Sequence, residues 1–317
     1  MKELEKAADI VINDCMAVKD DETVLVITDE PLRKIGMAFF QMAKKVAAEA
    51  ILTEITSRPN HGAEPPKSVA NLMQEVDVVL MPTSKSLSHT NARKGANEAG
   101  TRAATLPMIT EEIMKRTLTA DYEVIKERSM KVAKILDEGK VAHLTTDKGT
   151  DIKMSLETRK GKPDTGIYHK DGDFGNLPAG EAYIAPLEGT SKGKVVIDGA
   201  MSGIGMIEES ITLIIEDGYA VEVEGGTEAK KLEDILNQYE KEARNVAELG
   251  IGTNDQATLV GNVLEDEKVM GTVHVAIGDN SAFGGKVEVE SHLDGIITGP
   301  TLKVDGKVVM EDGELVI

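Results

Sequence analysis

A change of rhythm partway along the chain restricts the fold more than any other feature. In the first third, three short apolar runs alternate with segments of helical periodicity: TVLVIT at 23–28, the run at 50–55 and DVVLMP at 77–82. Runs of that length, set between helical patterns, read as strands. Strands regularly separated by helices pair in parallel, because a parallel connection needs a crossover that a helix supplies. An amphipathic helix carrying Leu4, Ala8, Val11 and Cys15 precedes the first run, and another is expected over 37–49. Residues 1–120 are therefore expected to form a Rossmann-like α/β domain. The loops after its strands are poor in glycine, so no nucleotide site is expected there.

A long helical stretch at 121–138 then leads into a different pattern. Strand-like segments follow quickly at 141–146, 194–198, 211–216 and 220–224, with a hairpin signal at Asp217 and Gly218. One helix, expected over 228–247, interrupts them, and the C-terminal LKVDGKVVMEDGELVI holds two further Asp-Gly turns. Residues 121–317 are expected to form a β-rich α+β domain. The fold class expected is thus α/β, a Rossmann-like N-terminal domain with a β-rich α+β metal-binding C-terminal domain.

Composition narrows the function. A net charge of −19 over 317 residues argues against a nucleic-acid partner, which needs clustered Lys and Arg, and favours cations. The single cysteine, Cys15, excludes an internal disulfide framework and fits a reducing compartment. The N-terminal MKELEKAADIVIND carries acids where a signal peptide needs a basic start and an apolar run. No apolar stretch approaches the ~20 residues that span a bilayer. A cytoplasmic protein with no membrane association is expected.

The sequence holds no HExxH, CxxC, GxSxG or GxGxxG, and GTSKGKV at 189–195 lacks the glycine spacing of a phosphate loop. The histidines are more informative. In KVEVESHLDG an extended chain turns Glu288, Glu290, His292 and Asp294 to one side and Val287, Val289 and Leu293 to the other. An imidazole and a carboxylate two residues apart on one face can close on a single cation. His274, in GTVHVAIG, lies opposite the apolar face of Val273, Val275 and Ile277, with small residues on either side. A lone strand histidine is commonly just a hydrogen-bonded structural residue, so spacing alone leaves both readings open.

Five segments in order resemble the aminopeptidase T and S family of metallopeptidases. They are NLPAGEAYIAP (176–186), AELGIGTN (247–254), EKVMGTVHVAIGDN (267–280), SHLDGII (291–297) and DGKVVMEDGEL (305–315). SKSLSHTNARKGANEAGTR at 84–102 also looks like that family. The resemblance implies a metal cluster of Glu181, Glu248, His274, His292 and Asp294 holding two divalent ions of the zinc, cobalt or manganese kind. It further implies a metalloaminopeptidase, a hydrolase acting on small peptides as a homodimer, with Glu181 or Glu248 moving the proton. Two ions a few ångströms apart would acidify a bridging water and polarise the scissile carbonyl.

The sequence departs from the peptidases at Ser281, where they carry a tyrosine, and in the short interval from His274 to His292. These departures sustain a second reading. The 2,5-dihydroxypyridine dioxygenases look similar, and His274, His292 and Asp294 match a two-histidine, one-carboxylate Fe(II) site with open positions. His89, in SLSHT, is then a candidate acid–base residue, with helix capping around Thr90 and Asn91 as the plainer role for its segment. A metal-stabilised binding protein is the third reading.

Overall fold

The computed structural model describes residues 2–317. Two compact units are present, one the chain up to Val124 together with Gly166–Ala179, the other Ile125–Thr165 with Gly180–Ile317. The sequence reading divided the chain at 120/121. It gave no sign that 166–179 returns to the first unit, because the strand there, Phe174–Asn176, is three residues long and lacks an apolar run.

In the first unit the three apolar runs form Thr23–Asp29, Glu49–Ile55 and Val78–Met81, joined by Arg102–Thr105 and Phe174–Asn176. All pair in parallel, in the spatial order Glu49, Thr23, Val78, Arg102, Phe174 by first residue. Val24, Leu25, Val26 and Ile27 are fully buried on both faces, as helix-covered parallel strands require. The helix expected over 37–49 spans Arg33–Val46 and turns Ile35, Phe39, Met42 and Ala43 inward. At the carboxyl ends of the strands Asp29 accepts hydrogen bonds from Ser57 Oγ (2.9 Å) and Ser84 N (3.0 Å), tying three strand ends together.

The second unit is a pair of antiparallel sheets. The eight-stranded sheet is built around Val141–Thr145, Asp151–Ser155, Lys192–Ile197 and Ile211–Glu216, and its far edge holds the C-terminal hairpins. The seven-stranded sheet centres on Glu181–Ile184, Val246–Gly252, Thr272–Gly278 and His292–Thr298. One apolar core lies between the sheets: Leu144, Ile152, Val195 and Leu213 from the first meet Ile184, Leu249, Val273, Val275 and Ile297 from the second. The structure is thus an α/β fold with a Rossmann-like parallel-sheet unit and a β-rich α+β unit.

One element differs from the sequence reading in a way that matters below. The helix expected over 228–247 ends at Leu236, and Val246–Gly252 is a fully buried strand. Among the described residues, no helix is long and apolar enough to cross a membrane.

Candidate metal centre

The central strands Val246–Gly252 and Thr272–Gly278 of the seven-stranded sheet are buried on both faces, and strand alternation sends opposite chemistry to each. Val273, Val275 and Ile277 enter the core, while His274 points the other way and is fully buried. Across the ladder, Gly250 lies opposite His274, Ala276 lies between Glu248 and Asp294, and Gly252 faces Glu181. The small residues make room. A Cβ built on Gly250 would stand 1.9 Å from His274 Nε2, so any side chain there displaces the imidazole.

The cleared space gathers Glu181, Glu248, His274, His292 and Asp294. Nε2 of His274 lies 3.2 Å from Glu181 Oε2 and 3.2 Å from Glu248 Oε1. Nε2 of His292 lies 3.5 Å from Glu248 Oε2 and 3.4 Å from Asp294 Oδ1. Glu181, Glu248 and His274 each offer one ligand atom, all within 4.8 Å of one another, so this group can hold a metal ion. His292 is the open side of the cluster at 31% side-chain exposure, against 8% or less for the other four.

Two further contacts orient these groups. His292 Nδ1 donates to the Asp279 carbonyl (2.7 Å), which fixes the ring orientation and turns Nε2 toward the carboxylates. Ser202 Oγ donates to Asp294 Oδ2 (3.3 Å) and accepts from Asp294 N (3.1 Å). Nε2 facing only carboxylate oxygens calls for a cation among them, either a proton on the ring or a metal ion. Glu181 Oε2 and His274 Nδ1 are likewise buried with no aligned hydrogen-bond partner. Native proteins seldom leave such groups unsatisfied. The donor set of imidazole nitrogens and carboxylate oxygens suits a divalent first-row metal.

The electrostatics separate the two glutamates. Burial pushes both carboxyls up, and both face His274. Glu248 ends above the ordinary carboxylate range, whereas Glu181 ends below it because the Lys268 ammonium lies beside it. Burial also disfavours the imidazolium of His292, but the Asp294 carboxylate and then Glu248 outweigh it and lift His292 to about 10. Burial raises the neighbouring Glu267 to about 8 even against the charge of Lys268.

Tyr183 and Phe283 flank the open side. Their rings pack edge to face at 5.6 Å, and Phe283 meets the His292 ring in the same manner at 5.8 Å. The segment bearing Phe283 is held by Arg159 on the Gly284 carbonyl and by Glu188, which accepts from Asn280 Nδ2 (3.1 Å) and Lys286 N (2.8 Å). Glu288 and Glu290 point to solvent. Ser281, at the position of the peptidases' tyrosine, hydrogen-bonds to Asp279 (3.1 Å).

The structure therefore brings five of the six candidate site residues together. His89 lies in the first unit, exposed, directly before Thr90, whose side chain caps the helix Asn91–Glu98 by accepting from Arg93 N (3.2 Å). Sequence reasoning missed Gly250, Ser202, Tyr183, Phe283 and Lys268. Only the glycine left a signal, as the small residue alternating with Gly252 in AELGIGTN.

Comparison with known proteins decides between the readings left open by the sequence. The model of the 2,5-dihydroxypyridine 5,6-dioxygenase family (NicX) matches residues 4–317. The chain is 24% identical over 255 residues to a 2,5-dihydroxypyridine 5,6-dioxygenase of Pseudomonas putida, covering 75% of this chain and 71% of that one. The solved structure of the 2,5-dihydroxypyridine dioxygenase from Pseudomonas putida KT2440 superposes with a TM-score of 0.84 at 20% identity, over 99% of this chain and 96% of that one. AmpT from Thermus thermophilus superposes at 0.76 with 17% identity, over 100% and 99%. At such identities the two structures share the fold alone.

These findings correct the aminopeptidase reading. The segments that carried the resemblance are largely the strands of the seven-stranded sheet, which both kinds of protein share. The hydrolase activity and the peptide substrate fall with it, and the paired zinc, cobalt or manganese ions lose their basis. The chain belongs to the 2,5-dihydroxypyridine 5,6-dioxygenase family.

Proposed function

We propose that this protein opens the ring of 2,5-dihydroxypyridine, or a close aromatic diol, with dioxygen at a single Fe(II). The observation that carries this reading, beyond family membership, is the His292 imidazole. Its Nδ1 proton is committed to Asp279 O and its Nε2 faces Asp294 and Glu248. His274, His292 and Asp294 would hold the ion as a two-histidine, one-carboxylate set, with Glu248 between the imidazoles. When bound there, ferrous iron supplies the electron exchange by which dioxygen reacts with a closed-shell aromatic ring.

The chain's own residues account for the rest. Asp279 O and Ser202 Oγ keep His292 and Asp294 aimed. The core face of the sheet keeps water from the back of the cluster. Tyr183 and Phe283 give the open side an aromatic edge that suits a flat ring. Burial and the charges of Glu248 and Glu181 push the Tyr183 phenol far up, so it stays protonated and able to donate a hydrogen bond.

The test is oxygen uptake by Fe(II)-reconstituted protein with 2,5-dihydroxypyridine, alongside loss of the aromatic absorbance. Uptake equimolar with ring loss is expected, with no cleavage of amino-acid anilides. Oxygen-independent ring loss, or turnover of the anilides alone, would sink the proposal.

A further inference from the structure

The 2 and 5 positions of a pyridine ring lie opposite each other, so a single cation can take only one oxygen of 2,5-dihydroxypyridine. The other oxygen needs a separate partner, and an acidic hydroxyl is best met by a charged donor. Two cations bordering the cluster are already matched. Lys268 Nζ lies 2.6 Å from Glu181 Oε1 and 2.6 Å from Glu267 Oε1, and Arg159 pairs with Glu188. Lys162 is different. Among the described residues it has no carboxylate partner, and its ammonium donates to the Ala282 carbonyl alone (3.3 Å), which leaves two of its three N–H groups uncommitted.

Strand register places this lysine at the site. In the ladder Lys162 lies opposite Tyr183, Tyr183 opposite Gly250, and Gly250 opposite His274. Residues directly opposite share a face, so Lys162 stands on the face of the metal cluster. Lysine and imidazole end one row across four strands, three spacings or roughly 14 Å at the backbone. The contact with Ala282 O brings the ammonium beside Phe283, whose ring meets Tyr183 at 5.6 Å and His292 at 5.8 Å. Burial draws the half-buried ammonium below the usual lysine range, and the Glu248 carboxylate opposes that shift. Lys162 lies outside the segments shared with the peptidases, and it grips the turn Ser281–Phe283, where the chain departs from them.

We propose that Lys162 holds the second oxygen of the aromatic diol at the Tyr183 and Phe283 edge, and so selects a ring with two opposed oxygens over a ring with one. This rests on the ring-opening function proposed above.

The experiment is anaerobic calorimetry of Fe(II)-loaded protein with three ligands: 2,5-dihydroxypyridine, 2-hydroxypyridine and 3-hydroxypyridine, the last two each lacking one oxygen. Native protein is expected to bind the diol more tightly than either. In Lys162→Met, which keeps the aliphatic stem, the diol should weaken roughly 10- to 100-fold, the range for a charged hydrogen bond. The probe lacking the oxygen that the lysine holds should be unaffected, so its gap to the diol closes while the other gap remains. Lys162→Arg should keep both gaps. Oxygen-uptake kinetics should show the loss chiefly in KM. Equal weakening of all three ligands, or no weakening of the diol, overturns the role of Lys162 in a protein that still turns the diol over. A native protein that neither binds the diol nor takes up oxygen with it overturns the ring-opening reading and this inference together.

Discussion

The two faces of the seven-stranded sheet are built from alternate residues of the same strands, yet they are closed by different physics. On one face Val273, Val275 and Ile277 are buried by packing against the eight-stranded sheet. On the other, His274, Glu248, Glu181 and Asp294 are as deeply buried, but packing cannot compensate the desolvation of acids and imidazoles. That face must be closed by charge: the Lys268 ammonium lies on one side, and the donor set on the other could hold a cation. The core face should therefore respond to lost volume and barely to metal. The site face should do the reverse.

The sharpest contrast comes from one strand. Ile277→Ala should cost about 2–5 kcal/mol in urea unfolding by leaving a cavity, with metal content unchanged. If it strips the metal as well, the faces are not independent. Next is Gly250→Ala, whose methyl would overlap His274 Nε2. We expect metal binding to weaken by about 10–100-fold, the range seen when the groups orienting a ligand are disturbed. Its metal-free protein should unfold at nearly the native urea concentration. Ser202→Ala removes one hydrogen bond to the Asp294 carboxylate and should weaken metal binding by about tenfold or less. An effect as large as that of Gly250→Ala would mean that the serine does more than orient.

The smallest effect expected is a pH dependence at Asp266. Burial raises its carboxyl from 3.8 to about 6, against hydrogen bonds such as that from Val260 N (2.7 Å). Because the folded value is raised, the stability it contributes is complete below about pH 4 and lost as pH climbs through 6. Asp266→Asn cannot ionise and should gain about 1 kcal/mol over the native protein between pH 4.5 and 7.5. Parallel melting curves at the two pH values would show that Asp266 is not strained.

Much of this organisation can be read from the sequence, and the exceptions share a cause. The parallel sheet is legible because the runs at 23–28 and 77–82 are continuous and each is followed by a helical pattern. The pairing of His292 with Asp294 is legible because alternation alone puts them on one face. Val246–Gly252 is not, since Gly250 and Gly252 erase the apolar alternation, and their purpose lies across the ladder at His274 and Val269. Lys268 is invisible for a related reason: within EDEK it reads as solvated surface, and only the fold brings Asp164 and Glu181 to it. The choice of chemistry was misread because the acids and imidazoles of this sheet are compatible with hydrolysis as well as oxygenation. What separates them is the family match over residues 4–317.

The return of 166–179 to the first unit has a consequence for how the chain is made. The edge strand Phe174–Asn176 pairs with Arg102–Thr105, so the parallel sheet remains one strand short until the ribosome has passed residue 176. By then Val141–Thr145 and Asp151–Ser155 have already been synthesised. The first unit cannot finish folding before the second has begun. A fragment ending at Val124 would expose the unpaired edge of Arg102–Thr105 to other chains, and aggregation of that fragment during synthesis is the expected result.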